Sequence, residues 1–195
     1  MKLKTHLNNA MIRCHSGGAI GADSYFEEIA EEYGIQTLAY SYKTHYHQSK
    51  NKVELNEEEY NEGILHVNVA NEILQKFKIK RYMKLLARCW FQVKNAEQIF
   101  AISTIIVKNN HEFVKGGTGW TVQMAIDNKK DVFVFDQIIN NWFSWDYEEN
   151  KFKILNESPK ITVTDFAGIG ARKINENGIN AITQLFKNSF GIKIN

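Results

Sequence analysis

DFAGIGAR, residues 165–172, lies some two dozen residues before the end of the 195-residue chain. It reads as the end of a strand running into a glycine turn and then a helix. Glycine tolerates positive φ and lets backbone amides approach a ligand closely. The first helical turn that follows has unpaired N–H groups and the positive end of the helix dipole, which suits phosphate. Two more stretches have the same form: CHSGGAIGAD at 14–23 and VKGGTGWTVQMA at 114–125. In an open parallel sheet such turns all lie at the carboxyl edge of the strands, so three of them imply one shared crevice. None has the Lys-Ser/Thr pair of a P-loop, and the dinucleotide fingerprint G-x-G-x-x-G is absent.

The elements between these units alternate. AMIRCHS reads as a strand, DSYFEEIAEEYG as a helix with Tyr25, Phe26, Ile29, Ala30 and Tyr33 on one face, and IQTLAYS as a second strand. Residues 41–56 are polar and read as a long surface loop or lid, followed by helices over about 57–77 and 81–95. QIFAIST and KDVFVFD are continuous apolar runs, the pattern of strands buried on both faces of a parallel sheet. NWFSWDYEENKFKIL reads as a β-hairpin, KITVTDFAGIG as a strand and 172–190 as a closing helix. This alternation predicts an α/β, three-layer Rossmann-like sandwich with a mainly parallel sheet and a small β-hairpin, in a single domain spanning 1–195.

Composition narrows the function classes. Hydrophobic residues are 44% and charged residues 24%, and the formal net charge is +2. That charge is too small for a protein that tracks a nucleic-acid backbone. Cys14 and Cys89 are far apart, each beside apolar residues, and read as buried thiols in a reducing, cytoplasmic compartment. No apolar run is long enough to span a membrane, and MKLKTHLNN lacks the apolar stretch of a signal peptide. His45 and His47 make only two metal ligands, so neither a metal nor a cofactor is expected.

SGGAIGADSYFEEIAEEYGI, GGTGWTVQMAIDNKKDVFVF and FAGIGARKINENGINAI together resemble the SLOG superfamily, which includes the Lonely-guy enzymes, the DNA-processing protein DprA and the YpsA-like proteins. Ser16, Gly17, Gly18, Gly21 and Asp23 match its first loop here. Gly116, Gly117, Thr118, Gly119 and Thr121 match the second, and Gly168, Gly170 and Arg172 the third. Arg88 stands before a strand as the arginine of several members does. In that family the AGIG unit comes first, so the resemblance implies a circular permutant. It also implies a nucleotide or nucleotide-derived ligand and a homodimer. Lonely-guy phosphoribohydrolases carry a glutamate after the second loop, where this chain has Gln123. A glutamine is no general base. The expected function is therefore ligand binding by a sensor, carrier or sequestering protein. The alternative is N-glycosidic hydrolysis, with Asp23 or Asp136 supplying the missing charge.

Single residues carry competing readings. Asp23 is either a helix-start partner or a group for a ribose or for catalysis; Asp136 is either a ligand contact or a turn former. Arg88 is either an exposed residue on the far helix face or a ligand group, and Arg172 pairs with phosphate oxygens. Trp120 either packs or stacks on a base, Trp142 and Trp145 pack the hairpin against a neighbouring helix, and His15 is a packed histidine.

Overall fold

The continuous apolar runs become the centre of a sheet. Strands β1 (Arg13–Ser16), β2 (Gln36–Ser41), β4 (Gln98–Ser103), β7 (Asp131–Asp136) and β10 (Asp165–Gly170) bear their buried residues on both faces. With β3 (Lys52–Glu54) at one edge, and β8 (Asn141–Asp146) and β9 (Lys151–Ile154) at the other, they form an eight-stranded sheet in the order β3-β2-β1-β10-β4-β7-β8-β9. Strands β3 to β7 of that row are parallel; β8 runs antiparallel to β7, and β9 antiparallel to β8. The structure is a computed structural model and describes residues 11–43, 45, 47, 49–76, 79–108 and 110–192.

Helices α1 (Ala22–Glu32) and α6 (Glu176–Phe190) cover one face, where Phe26, Ala30, Ile182, Leu185 and Phe186 pack on Cys14, Phe100 and Phe166. Helices α2 (Glu57–Leu74), α3 (Ile79–Ala87), α4 (Cys89–Lys94) and α5 (Thr118–Asp127) cover the other. Their Val67, Leu86, Phe91 and Val122 join Ile99, Val134 and Ile169. The three-layer α/β expectation holds. The last strand in the chain, β10, sits in the middle of the sheet between β1 and β4; counted from β10, the parallel strands read 4-3-2-1-5-6.

Four expectations are corrected. Residues 41–56 are not all loop: β3 pairs in parallel with β2, and a polar edge strand of three residues has no apolar pattern to announce it. The helix over 81–95 is two helices that break at Arg88. The closing helix starts at Glu176 rather than 172, because the Asn175 side chain caps the Gly178 amide and leaves Ala171–Ile174 outside it. The second glycine turn does not follow a strand of the main sheet. It follows a separate antiparallel hairpin, β5 (Ile105–Lys108) and β6 (His111–Val114). The 141–154 hairpin is real, and it extends the main sheet through β7.

Candidate functional site

Strands β1, β10 and β4 are adjacent and parallel, so the turns after Ser16, Gly170 and Ser103 share one edge. Backbone bonds tie them together: the Ala22 amide donates to Ala171 O at 3.1 Å, the Ala171 amide to Ile102 O at 2.8 Å, and the Lys115 amide to Thr104 O at 2.9 Å. The 17–21 turn needs two left-handed positions, Gly18 (φ 63°) and Gly21 (φ 112°).

Arg88 is the group that sequence left most open. It is 4% exposed and lies beneath the glycine turn: a Cβ on Gly17 would stand 2.5 Å from its Nη2. Gly63 of α2 makes this possible, since it faces the backbone of Ala87 and lets the α3–α4 junction come close. The guanidinium donates from Nη1 to Gln92 Oε1 at 3.2 Å and lies 3.9 Å from Asp23 Oδ2, while Nε has no partner. An unpaired N–H on a buried cation is costly and marks a place for an acceptor.

Asp23 is buried at the start of α1 and accepts the Gly170 amide at 3.1 Å. Burial pushes its carboxyl up to about 6, against the opposing pull of Arg88. His45 and His47 stand over the same turn. His45 accepts or donates to Ser41 Oγ at 3.2 Å, and burial beside Arg88, His47, Lys52 and Arg172 pushes it down to about 4. A Cβ on Gly18 would stand 2.6 Å from His47 Nδ1, and His47 Nε2 is buried without a partner. His47 is also lowered by burial and by Arg88, so both imidazoles are neutral near pH 7. Arg172 is exposed, and its backbone abuts Gly21. Among the described residues no group of three His, Cys, Asp or Glu side chains is placed to hold a metal.

The other predicted residues make structural contacts. Gly168 and Gly170 are within β10, not in a loop. A Cβ on Gly168 would lie 2.6 Å from Phe26 Cβ, and one on Gly170 2.6 Å from Ala22 Cβ, so both serve the close packing of α1 on the sheet. Asp136 is a turn former: its Oδ1 accepts the Ile138 and Ile139 amides and its Oδ2 the Ile105 amide. That corrects its expected catalytic role, because its oxygens are committed to backbone. Gly116 (φ 72°) and Gly117 lead into α5, with Thr118 and Thr121 buried. Gly119 faces Lys76 Nζ, which would be 2.7 Å from an added Cβ. Trp120 is buried beneath Lys76 Nζ, 4.3 Å from its ring centroid, so it is not free to stack on a base. Gln123 Nε2 donates to Asp127 Oδ1 at 2.9 Å within α5.

His15 is packed as expected, between Asp165 Oδ1 at 2.9 Å and Tyr40 Oη at 3.0 Å. Trp142 meets Phe100 and Phe135 of the sheet, and Trp145 meets Phe152 of its own hairpin. Sequence reasoning passed over Glu27 and Lys76. Glu27 lies four residues after Asp23 on the same helix face, a signal that was there to be used. Lys76 carries no comparable local mark. Compared with protein-family models, curated proteins and solved structures, the chain matches none of them.

Proposed function

We propose that the crevice over the carboxyl ends of β1 and β10 binds a nucleotide or nucleotide-derived small molecule, in the manner of a circularly permuted SLOG-type domain. The observation that carries this reading is Arg88, a buried cation with an unpartnered Nε under a glycine turn, at the edge where open α/β sheets take ligands. Neutral His47 and exposed Arg172 add donors for an anionic group.

The test is titration calorimetry with ADP-ribose, NAD and nucleoside monophosphates. Arg172→Ala touches no buried contact and should weaken binding of the phosphorylated ligand about tenfold, in line with loss of one charge-assisted bond. Binding of none of the panel would reject the reading. A second reading, hydrolysis of the N-glycosidic bond, is favoured by one observation: Asp23 is a carboxyl buried 3.9 Å from Arg88 at the start of α1, and burial pushes it up to about 6.

A second copy of the chain is the partner that suits α2. Leu65, Val69 and Ile73 recur every four residues on its outer face, with exposures of 66%, 50% and 49%. Glu57 and Glu58 precede this stripe, and exposed Lys80 and Arg81 follow it. Two α2 helices paired antiparallel about a two-fold axis would bury both stripes. Light scattering should give a dimer mass that falls to the monomer in Val69→Lys; a monomeric native protein would refute this.

A further inference from the structure

The turn between β1 and α1 already holds negative charge where a phosphate would bind. The Gly18 amide donates to Glu27 Oε1 at 3.1 Å and to Ser16 Oγ at 3.3 Å, and Glu27 is 7% exposed. Asp23 takes the amide of Gly170. The Gly21 amide goes to Ser24 Oγ at 3.2 Å and that of Ala22 to Ala171 O at 3.1 Å. The amides of Gly18, Gly21 and Ala22 are therefore engaged by the chain itself. Asp23 and Glu27 occupy successive turns of α1 at its N-terminal end, where the helix dipole favours carboxylates.

A phosphate entering this turn would meet the Glu27 carboxylate at close range. Like charges at that range repel at the effective dielectric of a protein surface, and a dianion is repelled more strongly than a monoanion. A hydroxyl group meets the opposite situation. Among the described residues no hydrogen bond engages Glu27 Oε2, and Glu27 lines a cavity of about 170 Å³ together with Gly18, Ser24, Glu28, Glu31, Ser49 and Lys50. Carboxylate oxygens accept from O–H donors.

We infer that Glu27 is the resident anion of the 17–21 turn and a specificity-determining residue: it closes the turn to phosphate and opens it to the hydroxyls of the ligand's sugar. The ligand's phosphate is directed outward to Arg172. The sugar half of this statement rests on the nucleotide reading above; the exclusion of phosphate rests on the Glu27 contacts alone.

The experiment titrates inorganic phosphate, ribose 5-phosphate and 2-deoxyribose 5-phosphate into the wild type and Glu27→Gln. Glutamine keeps a carbonyl for the Gly18 amide and removes the charge. Inorganic phosphate should bind Glu27→Gln at least tenfold tighter than wild type. Wild type should prefer ribose 5-phosphate over the deoxy sugar by about tenfold, and the variant should lose most of that preference. Unchanged phosphate affinity in a folded variant overturns the inference. If phosphate affinity rises but neither sugar phosphate binds wild type, the nucleotide reading falls and the resident-anion assignment stands. A measurement free of mutation tests the exclusion of phosphate: phosphate added to ¹⁵N-labelled wild type should leave the Gly18 amide resonance in place, and a saturable shift of that resonance overturns the inference.

Discussion

Gly168→Ala is expected to destabilise the protein by roughly 3 kcal/mol, at the upper end of the usual overpacking range, and Gly168→Val by more. The added Cβ falls 2.5 Å from Phe26 Cδ1 and 2.6 Å from Phe26 Cβ, and Phe26 is fully buried. The ring has nowhere to retreat, because Phe186 of α6 packs on it and on Phe166 of the same strand. Urea unfolding should show a lower midpoint at unchanged slope, the mark of lost stability without a change in the unfolded chain. Phe26→Leu introduced beside Gly168→Ala should recover part of the loss, giving a coupling above about 1 kcal/mol. Additive effects would mean that the strand, not the ring, objects to the methyl group. Gly34→Ala is the contrast. Its φ is 70° with open space around the position, so it should cost about 1 kcal/mol from backbone strain, with no rescue by Phe26.

Gly168 also shows where sequence reasoning stops. A Gly-x-Gly at the end of an apolar run looks the same whether it turns the chain or admits an aromatic ring from another element, and Phe26 is far away in sequence. What was legible depended on local periodicity: the two-face burial of β4 and β7, the amphipathic α1 and the alternation that makes the fold α/β. The β5–β6 hairpin was missed although two asparagines separate its apolar arms, a standard turn signal, and Asn110 adopts φ 62°. The short edge strand β3 has no such mark, since two of its three residues are charged and it pairs only with β2. The glycine turn at 17–21 was readable because its turn chemistry is local. The burial of Arg88 against Gly17 and Asp23 was not, because it depends on Gly63 bringing the α3–α4 junction across the end of β1.

Asp23→Asn is expected to remove the steepest carboxylate-dependent part of the protein's pH–stability profile. In the folded protein burial holds the carboxyl at about 6, against 3.8 as its ordinary value. The folded state therefore binds the proton more tightly than the unfolded chain between those values. Stability associated with Asp23 is greatest below the lower value, declines as pH rises through the window, and is reduced by about 3 kcal/mol above it. Urea midpoints measured across that window should fall in wild type relative to Asp23→Asn, and parallel profiles would show that the carboxyl ionises at its ordinary value. The same titration separates the two functional readings. If the crevice only binds, ionising Asp23 adds a negative charge beside Arg88, and affinity for an anionic ligand should drop severalfold as pH passes 6. If Asp23 stabilises a developing oxocarbenium ion, release of free base should instead rise through the same pH and disappear in Asp23→Asn. Affinity and turnover thus move in opposite directions with one proton, and Arg88, 3.9 Å from Asp23, favours the loss of that proton.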